Sequence, residues 1–210
     1  MAKSESPLQS LTSFLPEGSF DAVANYLNQY KVHLTVTRER KNILGNYRNK
    51  VFDKNHRISI NGNLNKYSFL ITLLHELAHL LAYENYGRRI QPHGKEWKTE
   101  YTKILLQFLP QKIFPTDVEK VLQQELKNPA ASTCAEPALT RVLRQYDKKK
   151  EGYFFIEDIP EGSCFKLSSG SIFKKGERLR KRFKCRELST GKQYLFSPVY
   201  EVEKIVTSIV

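Results

Sequence analysis

Residues 73–83 read LLHELAHLLAY. Two explanations compete for an apolar helix that carries two histidines and a glutamate at such regular spacing. The polar residues are incidental on a packed helix, or they hold a metal. His75, Glu76 and His79 form H-E-x-x-H. Residues four apart on a helix share a face one turn apart, so both imidazoles can reach one ion. Glu76 projects beside them, where a carboxylate can hold a water on that ion.

Five residues with three fixed arise by chance often enough that this motif alone is a moderate signal. Its neighbours strengthen it. Leu74, Leu77, Ala78 and Leu81 can face a core, so the helix is buried, and a glutamate and two histidines there are costly without a partner. Ala78 and Ala82 are small, which suits close packing around an ion. A candidate third ligand follows. His93 opens the segment HGKEW after the loop RRIQPHG, and three of the five histidines thus fall in one short window. Glu96 and Glu100 are rival third ligands, or partners for a ligating imidazole. His93 is preferred because the loop is short and returns it over the motif helix. A catalytic zinc site wants three protein ligands and one open position.

Around the motif, the spacing predicts a helix over 66–86, capped by Asn65 and ended by Gly87. A second helix is expected from Gly94 to Leu109, closed by Pro110. A third, over 116–128, carries Thr116 and Glu119 in a capping-box pattern. Upstream, residues 1–18 read as a loose leader and FDAVANYLNQY (20–30) as a helix. HLTVTRER (33–40), LGNYRN (44–49) and RISIN (57–61) alternate or bend as a small antiparallel sheet does. Residues 131–152, with small residues, prolines and the charged run DKKKEG, read as a linker containing a short helix near 139–146. From Tyr153 onward, short β-like runs are separated by Gly, Ser and Pro. The expected organisation is α+β: a core over 1–130, the linker, and an all-β module over 153–210.

HELAH, a short loop and then HGKEW resembles the SprT-like zinc metallopeptidase family, whose pattern is HExxH followed by a histidine in H-G-x-x-aromatic. LGNYRN and RISINGNL before the motif helix are similar to the family's glycine-bearing strand and I-x-[IL]-N segment. The likeness covers roughly residues 20–125, and short bacterial members of the Bacteroidetes type look most similar overall. It implies a zincin-like core, one zinc ion held by His75, His79 and His93, and Glu76 as catalytic base. It also implies a protein substrate, in eukaryotic members one crosslinked to DNA, whereas bacterial members have been described as transcription-elongation-like. Many members end in a zinc ribbon with CxxC pairs. This chain has Cys134, Cys164 and Cys185 and no CxxC, so its β module is expected to resemble a ribbon without metal.

The formal net charge is +12 and the pI about 9.5, which invites a polyanionic partner. Residues 163–192 hold ten basic side chains against two acidic ones, a net +8. Alternation in RLRKRFKCREL places Arg178, Arg180, Arg182, Lys184 and Arg186 on one face of a strand. With Lys174 and Lys175 they are the expected nucleic-acid contacts. No base-reading code is visible, so binding of DNA is expected to be sequence-tolerant. The aromatic residues among these strands read as core rather than as a stacking platform.

Sparse cysteines, no signal-peptide pattern and no long apolar run point to a cytoplasmic protein without a membrane span. The leading expectation is a zinc peptidase that acts on DNA-associated proteins. Its substrate would lie along an edge strand such as RISIN, and Tyr83, Tyr86, Arg88 and His56 are candidate oxyanion donors. The alternative is a non-proteolytic nucleic-acid or transcription-complex adaptor that keeps the zinc site.

Overall fold

A computed structural model of the chain describes residues 7–40, 43–51, 54–126 and 136–205. It divides into two compact units, Met1–Asp147 and Lys148–Val210. Cys134 and the Pro- and Ala-bearing stretch around it lie outside the described residues.

The first unit is mixed α/β. A 3-10 turn, Leu8–Ser13, and Leu15 beyond it send Leu11 and Leu15 into the core, so this part of the expected leader is packed. Helix α1 (Phe20–Gln29) buries Val23 and Leu27, one turn apart. Three strands follow: β1 (His33–Thr37), β2 (Gly45–Arg48) and β3 (Arg57–Asn61). Their order is β1-β3-β2. The sheet is mixed rather than antiparallel, because β1 runs parallel to β3 while β2 is antiparallel to it. Parallel neighbours need a crossover, and the segment that contains β2 supplies it. The strand with the most apolar inner face, with Ile58 and Ile60 both fully buried, takes the centre. RISIN therefore has partners on both sides and is not an edge; the edges are β1 and β2.

Helix α2 (Lys66–Tyr86) carries the motif and runs through the core. Asn65 Oδ1 accepts the Ser68 N–H at 2.9 Å, and Gly87, at φ 80°, ends the helix. Buried apolar residues surround α2 on all sides, as befits a central helix. Helix α3 (Lys95–Phe108) lies against it through Trp97, Tyr101, Ile104, Leu105 and Phe108. Helix α4 (Thr116–Glu125) starts without the expected capping box: Pro115 holds the cap position, and Thr116 is already helical.

Helix α5 (Pro137–Arg144) falls within the expected linker, yet Leu139 and Leu143 join the first unit's core. Asn65 Nδ2 donates to Leu143 O at 3.0 Å and to Asp147 Oδ1 at 2.7 Å. The cap of α2 and the end of α5 are thus one hydrogen-bonded cluster.

The second unit is an antiparallel sheet of β4 (Tyr153–Phe155), β5 (Cys164–Lys166), β6 (Ile172–Leu179), β7 (Arg182–Glu187), β8 (Gln193–Phe196) and β9 (Glu201–Lys204). Their order is β4-β9-β5-β6-β7-β8. Phe165, Phe173, Phe183, Phe196, Cys185 and Val202 fill its own small core. Among the described residues no helix is long and apolar enough to cross a membrane.

Candidate metal centre

His75 and His79 stand one turn apart on α2. His93 comes from the loop before α3, and its φ of 57° is left-handed, a conformation uncommon for a residue with a side chain. The three side chains converge. Nε2 of His93 is 3.0 Å from Nε2 of both His75 and His79, and those two are 3.2 Å apart. This is the group among the described residues that could hold a metal ion.

The donor set fits such an ion. A neutral imidazole nitrogen either carries a proton or offers a lone pair. Three nitrogens in mutual contact cannot all hydrogen-bond: in any choice of tautomers, at least one pair sets like against like. A shared cation removes that conflict. Tetrahedral nitrogens 2.0–2.1 Å from one zinc ion stand about 3.3 Å from one another, close to the spacing here. Burial, aided by the neighbouring imidazoles, lowers the His75 pKa to about 3. Burial and His93 lower that of His79 to about 4, and burial lowers that of His93. All three are therefore neutral at neutral pH, the state a ligand needs.

Trp97, the aromatic residue of HGKEW, forms the support. Its ring centroid lies 4.7 Å from that of His75, 4.8 Å from His93 and 5.5 Å from His79, and it stacks on Tyr101 at 4.9 Å. The rival ligands are elsewhere. Glu100 is buried, but its Oε1 accepts from Lys103 Nζ at 2.8 Å and Tyr86 Oη at 3.3 Å. Neither Glu100 nor Glu96 belongs to the converging set.

Glu76 is 6% exposed. Burial pushes its carboxyl up to about 7, opposed by the Tyr47 backbone N–H and by Arg40. Sequence reasoning missed Tyr47. Its N–H serves Glu76, its ring lies parallel to that of His79 with centroids 6.4 Å apart, and its hydroxyl is 2.9 Å from Nδ1 of His56. His56 is buried, with Nε2 3.2 Å from Glu84 Oε1, which also pairs with Lys50 at 3.0 Å. The other candidate oxyanion donors are engaged: Tyr86 with Glu100, and Arg88 with the Tyr83 hydroxyl at 3.4 Å. The bend LGNYRN was the available signal for Tyr47, since it sets a tyrosine two residues after a glycine.

The cations of the second unit do not form one ladder. A hairpin turns at Arg180 and Lys181, so Arg178 belongs to β6 while Arg182, Lys184 and Arg186 alternate along β7. Lys174 lies opposite Arg186. Lys175 leaves the set. It is 5% exposed, and its Nζ donates to the carbonyls of Ile156 and Ile159, each at 2.6 Å, beside the Phe183 ring. Ordinary alternation puts it on the inner face with Phe173, and a register shift beyond it, between Lys175 and Arg178, sets Arg178 opposite Phe183. Cys185 is buried and Cys164 half-buried, and both are free thiols.

An H-E-x-x-H helix whose imidazoles meet a third from the following loop defines a mixed α/β protein with a histidine cluster that could hold a metal ion. Residues 17–118 match the model of the SprT-like family, so the first unit carries a SprT-like domain. Among curated relatives, Protein SprT of Pseudomonas fluorescens (strain SBW25) is 59% identical over 27 residues, 13% of this chain and 16% of that protein. Protein SprT of Glaesserella parasuis serovar 5 (strain SH0165) is 58% identical over 31 residues, 15% of this chain and 19% of that protein. The matched stretch thus spans less than a fifth of each of these relatives. No solved structure matches the chain.

Proposed function

We propose that the protein is a zinc-dependent peptidase that acts on DNA-associated proteins. The observation that carries this reading is the convergence of three neutral imidazoles beside a buried glutamate. His75, His79 and His93 would hold the ion. Zinc bound there supplies a Lewis acid and lowers the pKa of its water to about 7.

Glu76 then acts as general base. Its carboxylate, next in sequence to His75, would accept a proton from the attacking water and return it to the leaving amine. The Tyr47 N–H orients the carboxylate for both transfers. Strand β2, an edge that touches Glu76, is the candidate track for an extended substrate. An intact, buried general base beside the imidazoles favours the peptidase over an adaptor, since a purely structural site needs none.

The nucleic-acid part of the reading rests on Lys174, Arg178, Arg180, Arg182, Lys184 and Arg186. With the phenylalanines in the core, these cations offer phosphate contacts rather than a stacking surface, which suits sequence-tolerant binding.

The test compares wild type with Glu76→Gln, each shown to hold one equivalent of zinc. It follows cleavage of an unfolded or DNA-bound protein, with and without single-stranded DNA. Cleavage by wild type alone supports the peptidase. If both bind zinc and neither cuts, the adaptor reading replaces it.

A further inference from the structure

Gly45 stands where β2 comes against α2. A β-carbon at this position would lie 2.6 Å from Oε1 of Glu76, 2.9 Å from its Cγ and 2.7 Å from Cγ2 of Thr72. Carbon atoms pack comfortably at about 3.5–4.0 Å, so any side chain here demands that its neighbours move. Thr72 has little freedom. It is buried, β-branched, and its hydroxyl donates to Ser68 O at 2.7 Å. The Glu76 arm has little more, because its helix is packed on all sides and its carboxylate meets the Tyr47 N–H.

Backbone conformation does not explain this glycine. Gly45 is not among the residues with positive φ, so every L-residue could adopt its backbone. A glycine inside a strand weakens it. What this position requires is space.

We infer that Gly45 is a positioning residue: its missing side chain is the slot that seats the Glu76 carboxyl arm at the Tyr47 N–H beside the three imidazoles. The inference rests on the reading of Glu76 as general base. Any side chain at residue 45 displaces that arm and leaves the imidazoles, which approach from α2 and the loop before α3, in place.

The test introduces Gly45→Ala into wild type, into Thr72→Ser, and into Thr72→Ser/Glu76→Ala. The last background lacks the three atoms that would come nearest the new β-carbon, all at under 3.0 Å. In the wild-type background, Gly45→Ala keeps its zinc affinity within about twofold by chelator competition. It loses about a hundredfold in kcat on an unfolded protein substrate, a loss typical of a misplaced catalytic group, with little change in KM. Thr72→Ser restores part of that kcat. In the metal-free protein, Gly45→Ala lowers the melting temperature of wild type but not of Thr72→Ser/Glu76→Ala.

Wild-type kcat in Gly45→Ala overturns the positioning role. An equal loss of melting temperature in both backgrounds, or failure of both to fold, overturns the slot. If wild type itself cuts nothing, the general-base reading falls, and the melting comparison still decides whether Gly45 seats the Glu76 arm.

Discussion

Trp97 donates its indole N–H to the backbone carbonyl of His75 at 3.4 Å and presses its ring against the imidazole of the same residue. Its ring also meets His79 and His93. One fully buried side chain therefore sets the attitude of all three candidate ligands. Trp97→Phe keeps a ring but removes the N–H and part of the packed surface. Zinc affinity, measured by chelator competition, is expected to fall about tenfold, the lower range for groups that orient metal ligands. Trp97→Ala is expected to cost roughly 3–5 kcal/mol of stability in denaturant titrations.

Zinc is expected to stabilise the fold. At a free concentration about a thousand times its Kd, the gain is roughly 4 kcal/mol. Thermal unfolding with and without chelator measures it. Glu76→Gln should keep this gain, and His93→Ala should lose most of it. A wild-type melting temperature indifferent to zinc would remove the metal centre from consideration.

Glu125 supplies a pH dependence remote from that centre. It is 6% exposed, and among the described residues neither carboxyl oxygen has a hydrogen-bond partner. Burial, reinforced by Glu136, raises its pKa from 4.5 to about 7. Below pH 4.5 the carboxyl is largely protonated in folded and unfolded chains alike, and ionisation adds no cost. Between about 4.5 and 7 the unfolded chain ionises first, so stability falls as pH rises. Above 7 the full cost stands, on the order of 3 kcal/mol. The stability difference between Glu125→Gln and wild type should shift by that amount, in favour of the variant, between pH 4.5 and pH 8. Urea titrations at both pH values check it.

Lys175 and the exposed cations of the second unit should separate cleanly. Lys175→Met leaves the Ile156 and Ile159 carbonyls without their ammonium donor, at an expected cost of about 1–3 kcal/mol for each unsatisfied group. The triple change of Arg182, Lys184 and Arg186 to Ala should barely alter stability. It should weaken DNA binding and lower the log–log salt slope by about 2–3, close to one for each phosphate deprived of its cation. Anisotropy titrations over a salt series read this directly. A slope near zero in wild type would sink the nucleic-acid proposal.

Helix α2 was legible to the residue because its ends carry local chemistry: the Asn65 side chain bonds Ser68 N–H, and only a residue tolerant of φ 80° suits position 87. The histidine triad was legible for a related reason, since two members are tied by helical spacing and the third by a short loop. The direction of β1 was not. Alternation tells which face of a strand is buried, but not which neighbour it pairs with or in what sense. Tyr47 escaped because its value lies in meeting Glu76, His79 and His56 from a different element. The burial of Lys175 escaped because the charge pattern was read without the alternation that sets it beside Phe173 on the inner face of β6. The turn at Arg180 lacks a glycine, asparagine or proline to announce it, and Arg180 takes φ 44° itself.

The clasp between Asn65 and α5 fixes where the molecule can be divided. A chain cut after Leu126 would uncover the core positions that Leu139 and Leu143 fill, and would strip the Asn65 amide of both acceptors. A chain cut after Asp147 keeps them. Anyone dissecting this protein, or grafting its β-sheet onto another, should find that the first unit expresses as a folded fragment only at the later boundary.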